Sequence, residues 1–181
     1  MKSSFLFLAD GFEEIEALAT VDVLRRAGIS VQTVSIYTHK HVKGAHGVEV
    51  NADLTFKEAD FGDSDWLILP GGMPGASNLY AFEPLTDLLK IHHGRIAAIC
   101  AAPAVVLAPL GLLRNLEATC YPGFEGACKE GDAIMKNQRV VVTERIITAN
   151  GPSSAIPFAL AIVEATKGAA VANEVAGGML V

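Results

Sequence analysis

Three residues in this chain have thiols able to act as nucleophiles: Cys100, Cys120 and Cys128. Their settings differ. Cys100 sits in Arg95-Ile96-Ala97-Ala98-Ile99-Cys100-Ala101-Ala102-Pro103, which reads as strand, cysteine, helix. A nucleophile at such a junction is presented on a sharp turn at the top of a sheet. Ala101 and Ala102 leave room for close approach, and the positive end of the following helix favours thiolate. The expectation is a thiol pKa well below the free value of ~8.5. Cys120 follows a short strand-like stretch at 117–119, and Cys128 lies in a Gly-rich, charged segment. Both read as structural.

A second group is Glu16. On a helix over residues 12–27 it shares a face with Thr20, Val23 and Ala27. That face is mostly apolar, so the carboxyl would be desolvated, its pKa raised, and its role that of a proton donor or shuttle. Glu13 and Glu14 stand at the start of the helix, where acid suits the dipole. A third feature is Gly71-Gly72, directly after an apolar run. Two glycines there let the backbone approach a ligand and aim N–H groups at an oxyanion. The segment Gly71-Gly72-Met73-Pro74-Gly75 has neither dinucleotide-fingerprint nor phosphate-loop spacing.

Metal and triad chemistry lack support. No cysteine pair has zinc-knuckle spacing, and His39, His41, His46, His92 and His93 contain no His-x-x-x-His pattern. None of the five lies at an evident strand end, and His92 and His93 close a helix.

Such residues need elements to position them. Apolar runs at 4–9, 30–36, 65–69, 95–100, 139–143 and 146–149 read as strands. Residues 12–27, 76–80, 83–93, 101–110, 152–167 and 169–176 read as helices, and 43–53 as a hairpin arm turned by Gly44 and Gly47. Strands alternating with helices imply a mostly parallel sheet covered on both faces, hence an α/β fold. Chemistry in such sheets gathers at the carboxyl ends of strands, which directs attention to Asp10-Gly11 through Glu16, Pro70–Gly75, Cys100–Ala102 and Ala149–Pro152.

Composition bounds the rest. The 181 residues are 51 % apolar and 19 % charged, without repeats or low-complexity stretches, so one domain over 1–181 is expected. The net charge of −6, with no long basic run, argues against nucleic acid or anionic membrane as a partner. Residues 96–113 carry no charge, but Pro103 and Pro109 interrupt them, and they read as buried core rather than a membrane span. Three cysteines are too few and too odd in number for a disulfide framework. The N-terminal apolar run is short and soon meets Asp10, Glu13 and Glu14, unlike a signal peptide. A cytoplasmic, reducing setting follows.

Five motifs in order carry a resemblance. They are Ala9-Asp10-Gly11-Phe12-Glu13-Glu14-Ile15-Glu16, Val21-Asp22-Val23-Leu24-Arg25-Arg26-Ala27-Gly28, Leu69-Pro70-Gly71-Gly72, Ala97-Ala98-Ile99-Cys100-Ala101-Ala102-Pro103, and Gly151-Pro152 with Phe158-Ala159-Leu160-Ala161-Ile162-Val163-Glu164. Together they resemble the DJ-1/ThiJ/PfpI superfamily, closest to the branch of the Parkinson-associated deglycase and its bacterial relatives. The resemblance implies a flavodoxin-like three-layer sandwich with a hairpin arm, usually a homodimer. It implies that Cys100 is the reactive cysteine and Glu16 the carboxyl, usually protonated, that hydrogen-bonds its sulfur. It further implies that Gly71, Gly72 and Ala101 present the pocket's backbone N–H groups, that Gly151-Pro152 closes the pocket, and that Asp22 and Arg26 lie near the dimer interface.

Two departures stand out. Tyr121 occupies the place where some members have a histidine near the cysteine, and tyrosine is a poor base at neutral pH. His46 stands where the Parkinson-associated protein has an arginine reaching the partner's site. The peptidase branch has a histidine directly after the cysteine, where this chain has Ala101, which weakens a Cys-His protease reading. The implied activity needs no cofactor: glyoxalase III-like conversion of methylglyoxal to lactate, or deglycation of glycated proteins, with an oxidation-sensitive thiol. A redox sensor or chaperone without turnover stays open. A cysteine peptidase or amidase, or a role in thiamine-precursor metabolism, has less in its favour.

Overall fold

The structure is a computed structural model that describes residues 2–181. Its centre is a seven-stranded sheet in the order β10-β11-β7-β6-β1-β2-β5. The strands are β1 (Ser3–Leu8), β2 (Val31–Ser35), β5 (Leu54–Thr55), β6 (Ser64–Leu69), β7 (Arg95–Ile99), β10 (Val140–Val142) and β11 (Ile146–Ala149). All neighbours pair in parallel except β10 with β11. Alternation within β1 feeds both faces. Phe5 and Phe7 enter one core with Leu85, Leu89 and Leu107, and Leu6 and Leu8 enter the other with Leu24, Phe158 and Ile162. Burial on both faces accounts for the continuous apolar runs of these strands.

The second core is closed by α1 (Glu14–Arg26), α5 (Ala155–Lys167) and α6 (Ala169–Gly178). The first is closed by α2 (Gly75–Ala81), α3 (Glu83–Ile91) and the segment after β7. The hairpin arm is β3 (His41–Lys43) paired antiparallel with β4 (Glu49–Asn51), separate from the main sheet. A further pair, β8 (Glu117–Ala118) and β9 (Ile134–Met135), flanks α4 (Glu125–Glu130). Among the described residues, no helix is long and apolar enough to cross a membrane.

The expected alternation of strands and helices holds, with differences that include the short strands β5 and β9. The helix expected over 101–110 is instead a π-helical stretch, Pro103–Leu107, in which Ala108 N–H donates to Pro103 C=O over 2.9 Å. Pro103 has no N–H to give, and Pro109 ends the regular pattern soon after. The Gly-rich, charged segment around Cys128, to which the sequence assigns no element, contains α4, too short to show a helical period. Strand order reverses beside β1, between β6 and β2. This opens a crevice at the carboxyl ends of β1, β6 and β7.

Candidate active site

Cys100 follows β7 directly and has φ of 65°, in the left-handed region. For a residue with a Cβ this conformation costs roughly 1–2 kcal/mol. Two backbone hydrogen bonds hold it. Cys100 N–H donates to Ala149 C=O, and Tyr121 N–H donates to Cys100 C=O, each over 2.8 Å. The side chain is thereby turned off the strand line toward the crevice, 7 % exposed as a residue.

Glu16 meets it from α1 and is fully buried. Its helix is oriented by Glu13, whose carboxylate caps the first turn by accepting the Glu16 N–H over 2.7 Å. Glu16 Oε2 accepts the Gly71 N–H over 2.7 Å. Oε1 is buried without a well-aligned partner, and the Cys100 thiol is the side chain its carboxyl engages. Oε2, which accepts an N–H, suits the carbonyl oxygen of a protonated carboxyl.

Glycine is required here because there is no room for more. A Cβ on Gly71 would lie 2.6 Å from Cys100 Cβ and 2.8 Å from Glu16 Oε2. Gly72, at φ of 87°, would drive a Cβ into the Gly11 carbonyl and the Phe12–Glu13 backbone. The freed backbone is put to use: the N–H groups of Gly72 and Ala101 both point at the Cys100 sulfur.

The electrostatics couple the two groups. Burial pushes the Glu16 carboxyl up to about 7, against the Gly71 N–H and the Cys100 hydrogen bond, with Glu13's charge adding to the rise. Burial likewise pushes the Cys100 thiol up to about 12, aided by the charge and hydrogen bond of Glu16 and opposed by the Gly72 and Ala101 amides. The expectation of a thiol pKa well below the free value is therefore corrected. Two adjacent anions are disfavoured, so the pair gains one negative charge near pH 7 and resists a second. Thiolate at neutral pH requires Glu16 to keep the remaining proton.

The other expected residues are placed as follows. Tyr121 lies beside the elbow, 44 % exposed as a residue, with its ring against Gly151, where a Cβ would come within 3.2 Å of Cδ2. Gly151-Pro152 leads into a 3₁₀ turn, Pro152–Ser154, held by Ser154 Oγ donating to Asn150 Oδ1 over 2.7 Å. Asp22 and Arg26 form an exposed ion pair at 2.8 Å on α1, away from Cys100. His46 is on the turn of the hairpin arm. Its Nδ1 lies 2.8 Å from Glu14 Oε2, and its N–H donates to Glu14 Oε1 over 2.7 Å. Glu14 engages it, rather than Cys100 or Glu16.

Sequence reasoning missed what Glu13 and Glu14 do. Both are buried, one as a cap and one as the anchor of the hairpin arm. Burial opposes ionisation of Glu14, yet the hydrogen bonds from His46 and the Val48 N–H together hold its carboxyl below the usual range. The signal available was Gly44, where a Cβ would overlap the Glu14 carboxylate. Glu13, Glu14 and His46 are also the one cluster among the described residues whose donor atoms could face a cation, all within 4.8 Å of one another. Their hydrogen bonds already account for the arrangement. Also missed was Gly11, whose φ of 85° lets Gly75 N–H donate to its carbonyl over 3.2 Å, joining β1 to α2.

A flavodoxin-like α/β sandwich with a cysteine on a left-handed elbow, and a buried carboxyl set against its sulfur, defines a narrow class of proteins. A family model described as DJ-1/PfpI family matches residues 2–165, and the chain belongs to that family. It is 35 % identical over 182 residues to Protein DJ-1 homolog A of Arabidopsis thaliana, covering 99 % of this chain and 46 % of the relative. The chain thus spans less than half the length of that relative. It is 37 % identical over 171 residues to a Caenorhabditis elegans protein named glutathione-independent glyoxalase DJR-1.2, covering 92 % of this chain and 90 % of that one. Among solved structures, oxidized DJ-1 of Toxoplasma gondii superposes with a TM-score of 0.93 at 37 % identity, covering 99 % of this chain and 98 % of that chain.

Proposed function

We propose that this protein is a cofactor-independent enzyme that converts reactive dicarbonyls such as methylglyoxal to 2-hydroxy acids, with Cys100 as nucleophile and Glu16 as proton carrier. The observation that carries this reading is the buried Glu16 carboxyl set against the Cys100 sulfur, with the Gly72 and Ala101 amides aimed at the same atom. The name of the C. elegans relative supports the same reaction class.

In this reading, Cys100 thiolate adds to the aldehyde carbon of methylglyoxal. The Gly72 and Ala101 N–H groups stabilise the developing oxyanion, which takes a proton to become a hemithioacetal. The hydrogen on that carbon leaves as a proton, is carried by Glu16 and returns to the neighbouring carbon, the former ketone. The product is a lactoyl thioester on Cys100. Water cleaves the C–S bond, releasing lactate and restoring the thiol, so the sum is methylglyoxal plus water to lactate. Glu16 suits the step because its pKa lies near the working pH. An aldehyde adduct on a protein amine could meet the same thiolate, which extends the reading to deglycation. Tyr121, with no basic nitrogen, would at most donate a hydrogen bond at the mouth.

The active form in this reading is a homodimer. Ile15 is 58 %, Leu18 40 % and Val48 47 % exposed, while Val21, Val23 and Leu24 of the same helix are buried. An apolar stripe left on the outer side of α1 beside the hairpin arm suits a two-fold contact. The Asp22–Arg26 pair and His46 would lie on or beside it.

Methylglyoxal turnover to lactate, compared between wild type and Cys100→Ser, tests the enzyme reading. A second reading, a redox sensor without turnover, draws on the same thiol, because a carboxylic acid and two amides beside sulfur would also stabilise a sulfinate. Peroxide titration with mass spectrometry separates them: a sensor oxidises Cys100 quantitatively yet shows no dicarbonyl turnover.

A further inference from the structure

We propose that Cys120 and Cys128 are a second, separate redox site: a dithiol that a small hydroperoxide converts to a reversible disulfide. Both cysteines are free and buried, and their thiols hydrogen-bond each other. They come from different elements. Cys120 follows β8, and Cys128 is the one buried residue of α4. A six-residue helix that buries a single side chain, and buries it against another thiol, is doing more than filling volume. The pair is also polarised. The hydrogen bond from Cys120 lowers the Cys128 pKa despite burial and raises that of Cys120. Both thiols lie in the same buried core cluster, and a disulfide between them would bring the sulfurs to the ~2.05 Å bond.

Access is through a cavity of about 260 Å³ lined by Cys120 with Glu125, Met135, Lys136 and Asn150. Cys120 lines it and Cys128 does not, which assigns their order of reaction. Cys128, the thiol of lower pKa, first loses its proton to solvent, and its thiolate then takes the Cys120 proton across the S–H···S bond as the Cys120 sulfur attacks the peroxide. The O–O bond breaks, an alcohol or water leaves with a proton from solvent, and Cys120 becomes a sulfenic acid. Cys128 then attacks that sulfur, releasing its own proton as the S–O bond breaks and water leaves. Two thiols and one hydroperoxide give one disulfide, one alcohol or water, and one further water. Sulfur is oxidised and peroxide oxygen reduced; a dithiol reductant reverses the change.

The crosslink would act on the elbow. It would brace residues 120–128, and within them Tyr121, whose N–H holds the Cys100 carbonyl over 2.8 Å. The test is hydrogen peroxide titration of the full chain, followed by denaturing alkylation and peptide mass spectrometry. The expected result is a Cys120–Cys128 disulfide that dithiothreitol reverses and that still forms in Cys100→Ser. In Cys128→Ser, which lacks the proton acceptor and the resolving thiol, Cys120 should oxidise more slowly and stop at a sulfenic acid trapped by dimedone. If both thiols of wild type remain alkylatable once Cys100 is fully oxidised, the proposal is wrong. A disulfide that includes Cys100 would overturn it equally. The wild-type map decides even where a variant does not fold.

Discussion

The Gly71 N–H donates to Glu16 Oε2 over 2.7 Å, and a Cβ on Gly71 would intrude on both Glu16 and Cys100. One backbone position thus fixes the carboxyl and makes room for the thiol. Gly71→Ala should therefore separate the pair. The expected outcome is a destabilisation of about 1–3 kcal/mol from overpacking, together with slower Cys100 alkylation in the folded protein. Thermal unfolding and iodoacetamide kinetics measure the two effects. Unchanged alkylation in a folded Gly71→Ala protein would remove Gly71 from the site.

The pH profile follows from the pair. Below about 7, Glu16 and Cys100 are both protonated; above it the pair has one negative charge, and the thiol resists losing a further proton up to about 12. The alkylation rate of Cys100 should rise through about 7 and then level. Glu16→Gln removes the group that titrates there, so the inflection should move upward. An unchanged inflection in Glu16→Gln would assign it to another group. Because the Glu16 pKa is raised in the fold, its linkage opposes folding as pH rises. Native Glu16 binds its proton more tightly than the unfolded chain does, so its contribution is present below the unfolded carboxylate value and is lost as pH rises through about 7. Glu16→Gln should accordingly flatten part of the loss of thermal stability as pH rises from the ordinary carboxylate range to about 7.

The core of the site was legible in the sequence for physical reasons. Cys100 betrayed itself by standing where a β-period run gives way to small residues, and Glu16 by its place on an apolar helical face. Gly71-Gly72 showed as punctuation after a buried strand. What stayed hidden depends on distant residues. Glu13 and Glu14 look like helix-start acids until the hairpin arm folds back and His46 meets Glu14. The partnership of Cys120 with Cys128 needs α4, which is too short to announce itself by periodicity. The π-helical stretch after Cys100 reads as an ordinary helix because side-chain pattern does not report an i to i+5 bond.

The Glu14–His46 contact makes its own prediction. Its hydrogen bond and then its charge, both from Glu14, raise the His46 pKa. That stabilisation is fully present below the ordinary histidine value of ~6.5 and is lost as pH rises through the raised value. His46→Ala should thus lower Tm more in mildly acidic than in alkaline buffer. Equal losses at both would mean that the ion pair contributes nothing. The imidazole is highly exposed, so the difference should be small.

The oligomer prediction rests on Ile15 and Leu18, apolar residues exposed on a helix whose Val21, Val23 and Leu24 are buried. Light scattering of the wild type should give twice the 19.0 kDa chain mass. Leu18→Asp should give the single-chain mass and lower activity, since Glu16 is on the same helix. Wild type at the single-chain mass at micromolar concentration would contradict the dimer.

The central claim is that Cys100 attacks a dicarbonyl while Glu16 carries the proton. The most direct measurement is lactate formation from methylglyoxal, followed by proton NMR, with wild type, Cys100→Ser and Glu16→Gln at equal folded concentration. The account predicts lactate from the wild type, a loss of at least ~10²-fold in Cys100→Ser, and a loss of about 10²–10⁴-fold in Glu16→Gln. Lactate formed at the wild-type rate by Cys100→Ser would contradict it.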